Sequence, residues 1–198
     1  MKDTNSFNDK IKEQLGSSFR TAGAAQRYFS RKQNSLKLDE FLLPEKLSSK
    51  DFRSDGFARL DELEKLLKEH RQFYANFVVS NAKGVFEILA EEDESAIKNA
   101  IEASASKMEK KMYEQALFFN ARQKWIKSTR MLLTILEEGD DVVFFDGEIF
   151  QFCDDPVFEK FEECLRSMDE AAEIERLHIE SKRFSFAAGC RNLFGFIK

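Results

Sequence analysis

The chain has 198 residues and a formal net charge of −5, enough for one domain or one domain with an arm. Eight Gly and two Pro argue against a loop-rich or all-β fold and against extended disorder, and they favour long helices. With 42% hydrophobic residues the chain can bury a core, and its 21 Phe against three Tyr and one Trp suit the thin core of a helical bundle, where large flat rings pack well.

Residues 1–37 carry eight basic and three acidic side chains, net +5, and read as a basic N-terminal helical arm. "FNDKIKEQLG" suggests a short helix ended by Gly16, and "SSFRTAGAAQRYFSRKQ" a second. Residues 38–50, "LDEFLLPEKLSSK", read as a connector in which Pro44 limits helix. From about 51 to 92 one long helix is predicted. Leu60, Leu67, Tyr74, Asn81 and Ile88 recur every seven residues, with Leu63, His70, Phe77 and Gly84 three behind. This is a coiled-coil-like heptad seam interrupted by polar members. Leu66, Phe73, Val85 and Leu89 widen it toward a bundle face.

"EEDES" marks a break, with Asp93 the expected cap of a second long helix over 95–138. Its stripe is Ile97, Ile101, Met108, Met112, Phe119, Ile126 and Leu133, flanked by Phe118, Trp125 and Leu132. The stretch "AIEASASK" offers a close approach to a neighbouring helix, and Gly139 is expected to end the helix. "DDVVFFDGEIFQFCDDP" then reads as a β-hairpin over 141–152. Asp146-Gly147 suggests a two-residue type I′ turn, which would pair Phe145 with Glu148, Phe144 with Ile149 and Val143 with Phe150. Asp155-Pro156 opens the last helix, with Asp155 as cap and Phe158, Phe161, Leu165, Met168 and Ala172 on its inner face. The end, "KRFSFAAGCRNLFGFIK", is apolar and basic, with Gly189 and Gly195 interrupting.

The predicted fold class is mostly α: an elongated three- to four-helix bundle with long antiparallel helices and one small β-hairpin, the bundle spanning 51–198. The hairpin is expected to roof one end of the core with Phe, since an isolated two-stranded hairpin is marginal in water.

Motifs that carry chemistry are scarce. Cys153, Cys164 and Cys190 form no close pair, which argues against a disulfide framework or a zinc site and suits a reducing, cytoplasmic setting. The N-terminus lacks a signal-peptide apolar core, and no apolar run approaches the ~20 residues of a membrane span. Glu175-x-x-His178 matches the di-iron pattern of helical bundles once, without the second Glu-x-x-His or the further carboxylates. His70 and Asn81 sit on the apolar seam, where a polar residue fixes register. The glycines are scattered singly, so no phosphate loop is present. No catalytic residue, metal ligand or cofactor is therefore nominated.

Charge is the stronger signal. Residues 137–173 hold fourteen acidic and two basic side chains, net −12, whereas 174–198 are net +3. An acidic stretch of this kind solvates a helix face or steers a basic partner. The functional reading is a non-enzymatic protein-protein interaction module, of the adaptor, inhibitor or immunity type, with a basic protein partner. The expected contact residues are Asp140, Asp141, Phe145, Asp146, Gly147, Glu148, Phe150, Asp154 and Asp155. The alternatives are a membrane-surface or assembly protein acting through its basic, Phe-rich termini, which would include homo-oligomers, and a helical enzyme with a carboxylate-metal site. Nucleic acid is not expected, because the overall acidity opposes phosphate contact.

Overall fold

A computed structural model describes residues 4–90, 94–139 and 141–195, with side chains described at 7, 9–90, 98, 109–139 and 141–182. The protein is mostly α, with long helices packed on one another and a single two-stranded antiparallel hairpin. The order is α1 (Thr4–Ser35), a 3-10 turn (Leu38–Leu42), α2 (Pro44–Leu47), α3 (Lys50–Ala90), α4 (Glu94–Glu138), β1 (Val143–Phe145), β2 (Phe150–Phe152) and α5 (Asp155–Gly195). Among the described residues no helix is long and apolar enough to cross a membrane.

α1 is one helix, not the two short ones that Gly16 suggests. An interior Gly costs about 1 kcal/mol of helix propensity, and tertiary packing overrides it here. Lys37 then takes a left-handed backbone (φ 47°) and turns the chain. The expected connector is partly helical: Leu43 is extended ahead of Pro44, which occupies the first turn of α2, where its missing N–H is not needed. α5 likewise continues through Gly189 to Gly195. The expected Asp93 cap lies outside the described residues, as do the side chains of Ile97, Ile101 and Met108, of the small-residue stretch "AIEASASK" and of the basic C-terminal end beyond residue 182.

The chain divides into two compact units. The first comprises the described parts of Met1–Leu38 and Glu62–Met112. Within it α1 and the α3 segment run antiparallel. The Ser18 hydroxyl donates to Asn81 Oδ1, Gln14 lies against Gly84, and the Phe29 ring stacks on His70 at 4.3 Å. As the α1 number rises the α3 number falls in step. Asn81, a polar interruption of the heptad seam, thus finds its partner only in this register. Leu63, Leu66 and Leu67 are buried, while Phe73, Phe77 and Val85 are half-buried, so the seam is deep at its start and shallower beyond.

The second unit comprises Asp39–Asp61 and the described part of Tyr113–Lys198. Phe41, Leu60, Leu132, Leu133 and Met168 are fully buried. Gly56 admits the Phe41 ring and Leu133; a Cβ there would sit 2.8 Å from Phe41 Cε1. Arg130 pairs with Asp61 at 2.8 Å, tying the start of α3 to α4. α4 and α5 are antiparallel, bridged by Ser128–Ser167 at 2.8 Å, Lys124–Glu170 at 2.6 Å and Lys182–Gln115 at 2.7 Å. The buried face of α5 is Phe161, Cys164, Met168 and Ala171. Ala172, expected inside, is exposed because it falls one step off this three- and four-residue spacing, and Phe158 is exposed as well.

Candidate functional site

The hairpin departs from the expected pairing by two residues on one strand. Val143 faces Phe152, Phe144 faces Gln151 and Phe145 faces Phe150, which leaves a four-residue loop, Asp146 to Ile149. Asp146 does not take the positive φ that a type I′ turn requires; only Gly147 does, at φ 109°. The aspartate acts through its side chain. Asp146 Oδ1 accepts the backbone N–H groups of Glu148 (2.9 Å) and Ile149 (3.0 Å), and Oδ2 accepts Gln151 Nε2 at 2.8 Å. Its own N–H donates to the Ile149 carbonyl at 3.2 Å. These bonds, first those from Ile149 and Glu148, hold the Asp146 carboxyl below its usual range. An Asx-type turn is a standard alternative to the φ > 0 pair, and here it wins.

A slip of two preserves the facing of every side chain. One face carries Val143, Phe145, Phe150 and Phe152, and it packs on the first turns of α5. Phe150 lies 6.0 Å from Phe161, and Phe152 lies 4.9 Å from Phe161 and 5.4 Å from Phe158, centroid to centroid. The other face is open: Phe144 is 50% and Ile149 60% exposed. Gly139 brings the chain into the hairpin. Its backbone is not left-handed, as a cap glycine would be; it is needed because a Cβ would sit 2.7 Å from the Ile135 carbonyl and 2.8 Å from Val143 Cγ2.

The residues expected to meet a partner separate into three groups. Asp141, Asp146, Gly147, Glu148 and Asp155 are exposed. Phe145 and Phe150 are half-buried on the face that packs on α5, 5.2 Å from each other. Asp154, not Asp155, caps α5, its Oδ1 accepting the N–H of Val157 at 2.9 Å, with Asp155 in the first turn. Asp140 lies outside the described residues. Sequence reasoning passed over Phe144 and Ile149. The signal was present: Gln151 is the polar residue between two Phe in β2, which marks its face as the solvent side and Phe144 opposite it as outward.

Replacing Gly147 by Val should cost about 1–2 kcal/mol, the penalty for a branched residue in left-handed backbone. No atom lies within 4 Å of the added Cβ, so the penalty is conformational and confined to the loop. Nuclear magnetic resonance should show the Phe145–Phe150 ring contact weakened, with the amide signals of α4 and α5 unmoved.

The Glu175-x-x-His178 pattern is absorbed by packing. Arg122, buried on α4, donates through Nη2 to Glu175 Oε1, and burial lowers its guanidinium to about 10, still charged at neutral pH. The His178 ring stacks on Phe118 at 5.1 Å. Burial lowers the His178 pKa, the positive charge of Lys182 adds to the effect, and Glu114 opposes it. Among the described residues no three His, Cys, Asp or Glu side chains are placed to hold a metal ion. Burial raises the Cys164 thiol, with Glu163 contributing, so Cys164 is a packed, unreactive thiol. No protein-family model, no curated protein and no solved structure matches this chain.

Proposed function

We propose that the chain is a protein-binding module whose hairpin and first α5 turns receive a basic partner. One observation carries the reading: Phe144 and Ile149 are exposed on the hairpin face turned away from α5, on the same short element as the exposed carboxylates of Asp141, Asp146 and Glu148. An apolar centre with a charged rim is the usual anatomy of a protein interface. The exposed acids of α5, among them Asp155, Glu159, Glu162 and Glu163, extend the negative surface that would steer a basic protein. A reducing, cytoplasmic setting belongs to the same reading and is supported by the free thiols of exposed Cys153 and buried Cys164.

The test begins with capture from the native host, comparing wild type with Phe144→Asp/Ile149→Asp. Any protein retained by wild type and lost by this variant is purified and its association rate measured. Asp141→Lys/Glu148→Lys/Asp155→Lys, which spares the structural Asp146 and Asp154, should slow association at low salt. The difference should shrink as the screening length falls from ~10 Å at 0.1 M to ~3 Å at 1 M salt. Equal retention by wild type and the Phe144/Ile149 variant, or association rates untouched by charge reversal at low salt, would remove the hairpin from the binding surface.

A further inference from the structure

The hairpin has two edges, and the alternation of its hydrogen bonds shows which backbone groups line them. In an antiparallel pair, facing residues alternate between those that exchange backbone bonds and those whose N–H and C=O point away from the partner strand. Cys153 N–H donates to the Val142 carbonyl at 2.9 Å, and Asp146 N–H to the Ile149 carbonyl at 3.2 Å. The bonded pairs are therefore 142 with 153, 144 with 151 and 146 with 149. Val143, Phe145, Phe150 and Phe152 turn their backbone groups outward. On β1 the Gly139 carbonyl already accepts the Val143 N–H at 2.8 Å. On β2 no described group of the chain takes up the outward N–H and C=O of Phe150 or Phe152. From this edge we infer a docking site for an extended, basic segment of a protein partner, which adds to β2 as a third strand. The inference rests on the reading of the hairpin as a binding surface and specifies how the partner is held.

The neighbours of this edge select the side chains of the occupant. An added strand alternates its side chains between the two faces of the sheet. On the inner face they come beside the first turns of α5. Phe150 meets Phe161, whereas Phe152 meets both Phe161 and Phe158, so α5 runs back along β2. Phe158 touches Phe152 yet is 41% exposed, an apolar floor that the hairpin leaves uncovered. Asp155 and Glu162 stand one turn to either side of Phe158 on the same helix face. Both are exposed, and neither is in an ion pair among the described residues. On the outer face the added strand lies beside Gln151 and the exposed Ile149. The matching segment is therefore extended, with apolar residues turned inward and a cation flanking them at each end.

A second copy of the chain fits this edge badly. Two β2 strands paired antiparallel about Gln151 would set Glu148 of each copy opposite Asp154 of the other, and like charges facing one another destabilise a strand pair. A basic segment meets the same carboxylates with the opposite sign. β2 has only three residues, so the added strand is short. Its main-chain bonds give affinity, and the alternate side chains on Phe158 and between the acids give specificity.

The probe is the capped heptapeptide Lys-Thr-Val-Thr-Val-Thr-Lys, titrated into the full chain and followed by nuclear magnetic resonance, with a Glu-flanked analogue beside it. The amide signals of Phe150 and Phe152 should move and their hydrogen exchange should slow, while the Phe145 amide on the other edge is unaffected. N-methylation separates main-chain pairing from side-chain contact, because only alternate amides of a docked strand face the edge. One peptide is methylated at both valines and another at the middle threonine. One of the two should bind at least about tenfold more weakly and the other unchanged, the valine version for an antiparallel strand and the threonine version for a parallel one. Asp155→Lys/Glu162→Lys should weaken the Lys-flanked peptide and strengthen the Glu-flanked one. Absence of binding below ~1 mM peptide, or preference for the Glu-flanked peptide, overturns the inference. Full binding by both methylated peptides also overturns strand addition, while the capture experiment with Phe144→Asp/Ile149→Asp decides separately whether the hairpin is a binding surface. A dimer of the chain alone with its Phe150 and Phe152 amides protected overturns it too, since the occupant is then a second copy.

Discussion

Replacing Glu175 by Ala should destabilise the chain by about 3–5 kcal/mol, the usual cost of removing one partner from a buried ion pair. Arg122 keeps only 6% of its side-chain surface, and the Glu175 carboxylate is its counter-charge. Its Nε has no hydrogen-bond partner among the described residues, so without Glu175 the guanidinium is left charged in a site that already penalises charge. Denaturant melts are the measurement. Arg122→Leu/Glu175→Leu should recover most of the loss, because both charges leave together and α4 and α5 still meet there. A single-variant cost under about 1 kcal/mol would mean that the pair behaves as a surface one. The neighbouring His178 gives the same interface an acid response. Its folded pKa lies below the ordinary 6.5, so above that value the proton is absent from both states. As the pH falls through 6.5 the unfolded chain takes up the proton first, and stability declines. His178→Phe should remove that part of the decline.

The long helices were legible because their signal is redundant. α3 and α4 each carry a heptad-spaced seam many turns long, and their predicted ends fall within two residues of those observed. Single glycines misled at Gly16 and Gly189, since one weak propensity term yields to a packed face. In the hairpin, strand identity and side-chain facing were readable but the turn was not. Asp-Gly is compatible with a type I′ pair and with a side-chain-capped loop, and only the bonds from Glu148, Ile149 and Gln151 decide. Charge marks only the rim of the hairpin; the outward facing of Phe144 and Ile149 is carried by the period-two alternation that Gln151 sets between Phe150 and Phe152. The Arg122–Glu175 pair joins residues 53 apart on separate helices, a juxtaposition that no local spacing encodes.

Phe41→Ala should cost about 3–5 kcal/mol, the range for truncating a fully buried Phe. The sequence places Phe41 in a connector, yet it has no exposed surface. Its ring lies 5.5 Å from Phe52 and meets Trp125 edge-on at 6.2 Å. The Arg59 guanidinium stands 5.0 Å over Phe52 and 5.9 Å over Phe41, held by Glu40 at 2.8 Å and Asp55 at 2.7 Å. Gly56 lets α3 approach so closely that the ring has no room to shift, and the vacated space cannot close by a small movement of the helix. The cavity term therefore adds to the lost transfer energy. Trp125 is the chain's one tryptophan, so its emission reports the site directly. The variant should shift that emission and lower the denaturation midpoint together. Phe19→Ala, at a position 55% exposed on α1, should change stability by no more than about 0.5 kcal/mol. If Phe41→Ala proves as mild as Phe19→Ala, and the Trp125 emission is unmoved, the 3-10 turn does not dock against α3 and α4. The aromatic cluster would then contribute nothing to holding Asp39–Asp61 in the second unit.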